Sequence, residues 1–185
     1  MIEIERKILN IDKISIIDSL TKLGAEKIFD GLITTKYFDY PDLRFKKQNE
    51  LLRVRLLDNE KVELVFKCDR KVEGECGIFN EKQISIDPNE WDNIIDILRS
   101  IGFIETLSFE KKRCEFKLTN EEITFELDEY PTMDPLLEIE APDIETINSM
   151  VTKLNLSSHE QTGETISELY ARLHPNQSLN GLTFK

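Results

Sequence analysis

The sequence predicts an α+β fold: an eight-stranded antiparallel β-barrel, a tunnel with a charged interior, with helices packed on its outside. Three observations lead there. Segments with period-two apolar alternation outnumber those with helical spacing by roughly two to one. Short polar turns, rather than crossover helices, join most of them. Their polar faces carry ionised side chains of both signs, many more than a solvated sheet face requires.

Residues 1–9 form the first strand, with Ile2, Ile4 and Ile8 on one face and Glu3, Glu5 and Lys7 on the other. Asp12 caps a helix over 13–23, where Ile14, Ile17, Leu20 and Leu23 recur at helical spacing and Gly24 ends it. A second strand covers 33–39, and the polar stretch Pro41–Glu50 reads as a loop. Strands at 51–57 and 61–68 meet through Asp58-Asn59-Glu60, a hairpin bend. Residues 69–79, with Gly74 and Gly77 among charges, read as a mobile loop before a strand at 80–86. Asp87-Pro88 opens a helix over 88–101 whose buried face is Trp91, Ile94, Ile95 and Leu98. Strands at 107–118, 122–129 and 135–140 follow, then helices over 143–154 and 164–173. The expected organisation is one domain over 1–174 and a loose tail, 175–185, containing Pro175, Asn176, Asn180 and Gly181.

Composition narrows the function classes. A chain of 185 residues, 39% hydrophobic, buries enough apolar surface for a single domain. Its charged opening and the lack of a long apolar run predict a cytoplasmic protein without a membrane span. Cys68, Cys76 and Cys114 lack metal-site spacing and read as reduced structural thiols, and His159 and His174 stand apart, leaving little material for a histidine metal site or a triad. The net charge of −12 excludes a general nucleic-acid or anionic-membrane binder, so an anionic ligand needs a local basic cluster.

That cluster emerges when each strand is read at period two. Arg53 and Arg55 share a face, as do Glu63 and Lys67, then Lys111 and Arg113, then Thr124, Glu126 and Asp128, then Glu138 and Glu140. Taken singly, each strand could simply turn its charges to solvent. Once the sheet closes, helices cover its apolar outside and the charged faces must point inward. About a dozen ionised groups buried dry would cost several kcal/mol each, so the interior must be wet. Lys7, Arg53, Arg55, Lys67, Lys111 and Arg113 suit a compact polyanion such as a triphosphate. Glu3, Glu5, Asp128, Glu138 and Glu140 can approach that ligand only through a divalent ion, and hard oxygen donors favour Mg²⁺ or Mn²⁺.

This combination resembles the CYTH superfamily, the triphosphate tunnel metalloenzymes, which includes class IV adenylyl cyclases, thiamine triphosphatases and inorganic tripolyphosphatases. The opening Glu3-x-Glu5-x-Lys7, Tyr37-Phe38-Asp39, Leu52-Arg53-Val54-Arg55, Lys67, Glu110-Lys111-Lys112-Arg113, Asp128, Leu137-Glu138-Ile139-Glu140 and Ser167-Glu168-Leu169-Tyr170 carry the resemblance. It implies a tunnel whose acids hold one or two divalent ions and whose bases cradle a triphosphate, with Glu3, Glu5, Lys7 and Glu140 catalytic. It also implies a C-terminal helix plugging one end and bringing Tyr170 to the substrate. Glu81-Lys82-Gln83 departs from a more acidic strand in the family. Glu126 reads as a counter-ion to Lys111, and Arg70 and Lys71 as solvated loop charges.

The leading functional expectation is metal-dependent hydrolysis of a triphosphate; class IV adenylyl cyclase activity and non-catalytic polyphosphate or nucleotide binding remain open. A small-molecule partner is expected, with a homodimer left open. The turn Asp128–Pro135 offers one aromatic, Tyr130, and no aromatic cluster reads as a base clamp, so binding energy is expected from the phosphates.

Overall fold

The computed structural model describes residues 1–185, the side chain of Thr119 excepted. Strand β1 (Ile2–Ile8) is its organising element. The alternation of isoleucines with charges lets both its faces be buried, and both its edges are paired. On one side lies β8 (Leu136–Ala141), in the register Glu5 to Glu140 and Lys7 to Glu138. On the other, residues 2–5 pair with β5 (Cys76–Ile86), and beyond them Lys7 and Ile8 pair with the short β9 (Gln161–Thr162). Between β5 and β8 run β4 (Lys61–Glu73), β3 (Leu51–Leu57), β2 (Glu26–Asp39), β6 (Ile104–Leu118) and β7 (Ile123–Glu129). Every pairing in the ring is antiparallel, and the β1–β5 pairing closes an eight-stranded barrel.

Helices cover the outside. Asp12 caps α1 (Lys13–Leu23) by accepting from the Ser15 amide at 2.8 Å, and Gly24 ends it at φ 85°. Asp143 caps α4 (Ile144–Lys153) through Thr146. Leu20 of α1 and Ile147 of α4 pack with Phe125 and Ile139 on the outer face of the barrel. A single 3₁₀ turn at Pro88–Glu90 leads into α3 (Trp91–Ser100), which sets Ile95 and Leu98 over Val54 and Val62. Helix α5 (Ile166–Leu173), opened by a Thr165/Glu168 capping box, lies across one barrel end. There Leu169 and Tyr170 meet Phe109, Tyr130 and Leu136. No helix among the described residues is long and apolar enough to cross a membrane.

Four segments differ from the sequence expectation. Residues 69–79 are not a loop: β4 and β5 continue as a hairpin whose turn, Gly74-Glu75, takes φ 52° and 66° at successive positions. Within it, Asp69 at φ 55° occupies a bulge, a register shift between Cys68 and Lys71. One extra residue reverses the inside–outside parity, so Arg70 joins the face that carries Phe79 rather than the face of Cys68. Strand β2 begins seven residues earlier than its apolar alternation suggests, paired with β6 through a bulge near Lys27. The polar stretch after it contains α2 (Arg44–Lys47), whose Phe45 and Lys46 amides donate to the Asp39 carboxylate at 3.0 Å each. The C-terminal segment is docked rather than loose: Gly181 donates to the Ser108 carbonyl at 2.7 Å, Glu110 donates to the Leu182 carbonyl at 2.8 Å, and Leu179 is buried.

The junction between β9 and α5 has no spare room. A Cβ at Gly163 would lie 2.6 Å from Cys76 C and from Gly77 N, both backbone atoms of a paired strand. Gly163→Ala is therefore expected to destabilise the fold by about 1–3 kcal/mol. Thermal unfolding checks this; a melting temperature equal to that of the parent would contradict the packing.

Candidate active site

The barrel encloses a cavity of about 420 Å³ lined by the inward faces of its strands. Glu3, Glu5 and Lys7 line it from β1, Arg53 and Arg55 from β3, Lys67 from β4, Lys111 and Arg113 from β6, Glu138 and Glu140 from β8. Two expected site residues lie outside it. Asp128 is fully buried beneath the lining, and Tyr170 sits among apolar side chains with its hydroxyl 3.0 Å from Thr132 and 3.4 Å from Gln177. The lining also includes Tyr37, Glu63, Phe79, Glu81, Glu126 and Tyr130.

Charge is divided around the wall. Neighbouring strands β7, β8 and β1 carry Glu126, Glu138, Glu140, Glu3 and Glu5, while β3, β4 and β6 carry five of the cations. Lys67 reaches from the basic side to the acidic one, with Nζ 2.6 Å from Glu3, 3.0 Å from Glu5 and 3.5 Å from Glu81. Its contact with Glu3 is an ion pair by distance, yet Glu3 Oε2 accepts no well-directed hydrogen bond, so Coulomb attraction dominates there. Lys7 bridges Glu5 at 2.6 Å and Glu138 at 3.2 Å. On β6, Arg113 forks onto Asp128 with two bonds of 2.7 Å and also binds Glu126, while Lys111 donates to Asp128 at 2.7 Å. Asp128 thus anchors two cations from behind, and the counter-ion of Lys111 is Asp128 rather than Glu126. Arg53 and Arg55 each keep a buried Nε without a partner.

The acids do not share one electrostatic environment. Burial pushes the Glu5 carboxyl up, but Lys67 and Lys7 more than offset this and hold it well below the usual carboxylate range. Burial likewise disfavours the Asp128 anion, and Arg113 and Lys111 reverse the balance. Glu138 goes the other way: burial, reinforced by the Glu5 charge, raises it to about 7 despite Lys7. Burial and the charges of Glu126, Glu3 and Glu138 raise Glu140 well above its ordinary value. No ion pair involves Glu140 among the described residues. Burial and the adjacent Arg113 push Lys111 down to about 8.

Two sets of carboxylates come close enough to share an ion: Glu3, Glu5 and Glu140, and Glu126, Glu138 and Glu140, with ligand oxygens within 4.8 Å of one another in each. Glu140 belongs to both. Its unpaired carboxylate and the all-oxygen donor sets fit a hard divalent cation. Asp128, given as a ligand by sequence, is in neither set, whereas Glu126 is in one. The face parity of β7 put Glu126 and Asp128 on the same wall; it could not show which of them the arginine would cover.

The CYTH domain family matches residues 1–170. The chain belongs to the CYTH family. Solved structures agree on the fold. One is the PH1819 protein of Pyrococcus horikoshii OT3, 22% identical with a TM-score of 0.75, covering 93% of this chain and 99% of that one. Another is a Hippeastrum candidate adenylyl cyclase with a dominant triphosphatase activity, 17% identical with a TM-score of 0.70, covering 93% and 96%. A third is a candidate adenylate cyclase from Vibrio parahaemolyticus, 15% identical with a TM-score of 0.75, covering 92% and 98%. At these identities the likeness is one of architecture. No curated protein matches the sequence.

Glu138 gives this CYTH tunnel a pH signature. Its carboxyl is held up to about 7 from an ordinary 4.5, so between those values the folded chain binds more protons than the unfolded one. Its contribution is full below the lower value and lost as pH rises through the higher, on the order of 3 kcal/mol in all. Without divalent ions the melting temperature should fall between about pH 5 and pH 8. In Glu138→Gln that slope should flatten; an unaltered slope would remove Glu138 as the cause.

Proposed function

We propose that this CYTH protein is a divalent-metal-dependent phosphohydrolase acting on a triphosphate held in the tunnel. One observation carries the reading: carboxylates stand directly opposite carboxylates across two strand pairs, Glu5 to Glu140 and Glu126 to Glu138. Like charges so placed destabilise a sheet. A fold that keeps them needs a cation there, and the nearby ammonium groups leave Glu140 unpaired. Mg²⁺ or Mn²⁺ is the chemistry such oxygens select, and when bound it supplies charge neutralisation and an oriented water at the phosphorus.

The protein's own groups do the rest. Arg53, Arg55 and Arg113 present planar donors to phosphate oxygens, and the buried Nε atoms of Arg53 and Arg55 are donors in need of acceptors. Lys7, Lys67 and Lys111 add point charges, Lys7 and Lys67 from contact with Glu5 and Lys111 from contact with Asp128. Charge developing on a leaving phosphate would be met by groups already in place, with no nucleophilic side chain required. Tyr130 and Ile166 add apolar surface to the lining.

Glu140→Gln should abolish metal-dependent turnover while leaving the fold intact, and Glu5→Gln should do the same, since each removes a carboxylate from the ligand sets. Full activity at limiting metal would exclude the altered residue. Arg53→Ala, Arg55→Ala and Arg113→Ala should each weaken tripolyphosphate binding by about 1.5–3 kcal/mol with smaller effects on metal affinity. Calorimetry of the three variants measures both.

Product analysis tests the reaction class. With Mg²⁺ or Mn²⁺, orthophosphate release from tripolyphosphate should be at least as efficient as cyclic AMP formation from ATP. Cyclic AMP and pyrophosphate as dominant products, with tripolyphosphate intact, would assign the tunnel to cyclase chemistry instead.

A further inference from the structure

We infer that Glu63 is a positioning residue of the phosphate cradle: it fixes the Arg55 guanidinium in the tunnel before a ligand arrives, and it acts on the ligand only through that arginine. The inference rests on the triphosphate reading of the tunnel and extends it to an acid that belongs to neither carboxylate set.

The β3–β4 hairpin alone puts Glu63 in place. Its turn, with Asp58 and Asn59 at φ 47° and 58°, sets the register in which Arg55 stands directly opposite Glu63. Both side chains line the tunnel and both are buried. Arg55 Nη2 donates to Glu63 Oε2 at 2.7 Å, while the other carboxylate oxygen of Glu63 meets Lys61 Nζ at 2.7 Å. Lys61 is 44% exposed, so the carboxylate joins one cation on the solvent side to one inside. Burial disfavours the Glu63 anion, but Arg55 and Lys61 more than offset this and hold its carboxyl below the ordinary value.

Arg55 has no second firm hold. Gln83 lies at 3.5 Å, the limit of a hydrogen bond, and Thr35, opposite Arg55 on β2, keeps its buried hydroxyl without a partner among the described residues. The tether occupies Nη2 and leaves the buried Nε free to meet an anion.

The same construction occurs on Arg113 and is missing on Arg53. Arg113 stands opposite Asp128 across the β6–β7 ladder and is bound by it, as Arg55 is by Glu63. Arg53 stands opposite Tyr37 and Val65 instead, and the carboxylate it pairs with, Glu81, is 3.9 Å away. The cradle thus has two arginines fixed in place and one loosely held. An arginine ordered beforehand loses less rotamer freedom on meeting phosphate, so the tether strengthens binding although it brings a negative charge to an anion site. A plain counter-ion at position 63 would do the reverse and weaken it. The two roles differ in sign.

The test measures tripolyphosphate affinity by calorimetry in the full-length protein with Mg²⁺, below the melting transition of every variant. Glu63→Ala and Glu63→Gln are compared with the parent, each alone and combined with Arg55→Ala. Alone, Glu63→Ala should raise Kd at least about fivefold, and Glu63→Gln, which keeps an acceptor but loses the charge, at least about twofold. With Arg55→Ala present, neither should weaken binding further, because the group that Glu63 positions has gone. Unchanged or tighter binding in folded Glu63→Ala would overturn the inference, as would equal weakening with and without Arg55. Should Glu63→Ala fail to fold, Glu63→Gln decides, and an affinity equal to or above the parent's would overturn the tether. Absence of tripolyphosphate binding in the parent protein would instead overturn the tunnel reading itself.

Discussion

Pairing of β1 with β5 is the constraint on which the rest depends. Without it, eight strands make an open sheet whose charged face could remain in water. With it, that face becomes an interior, and carboxylates, ammonium groups and guanidinium groups must come to terms within a few ångströms of one another. Closure converts charges that would be worth little on a surface into an electrostatic field. It also fixes the opposition of Glu5 and Glu140, because both belong to a ladder that cannot slip: a shift of one residue would turn isoleucines into the tunnel and glutamates into the outer core.

The interior divides its acids into two kinds. Glu5 and Asp128 are held by lysine or arginine and are favoured as anions; Glu138 and Glu140 are left with too little positive charge and resist ionising. A divalent cation held by the second kind would compete with the protons there. The resting tunnel is thus internally compensated on its basic side and under-compensated on part of its acidic side. This asymmetry leaves Glu138 and Glu140 as the carboxylates that an added cation would relieve most.

Most of this was legible in the sequence because period two is a strict code. Glu3, Glu5 and Lys7, Arg53 and Arg55, Lys111 and Arg113, and Glu138 and Glu140 all reach the tunnel their parity assigns. The code fails where backbone irregularity interrupts it. At Asp69 a single left-handed residue reverses the face of Arg70, which had read as a solvated loop charge, and Gly74-Glu75 folds an apparent loop into a hairpin. Contacts behind the wall are equally hidden, so Asp128 looked like a free carboxylate until Arg113 was seen to cover it.

The same ring has a consequence for how the chain is made. Partners of β1 lie far along the sequence, with Glu5 opposite Gly77 on one side and Glu140 on the other. During synthesis β1 emerges before the other strands of the ring, and its second partner, β8, is the last of the eight to follow it. Until then a strand of alternating isoleucine and charge waits with open edges, exposed to wrong neighbours. Maturation of the tunnel's acidic wall is accordingly a late event: Glu3 and Glu5 acquire their surroundings only when β8 arrives, so a nascent chain stalled before that point carries the motif without the closed tunnel around it.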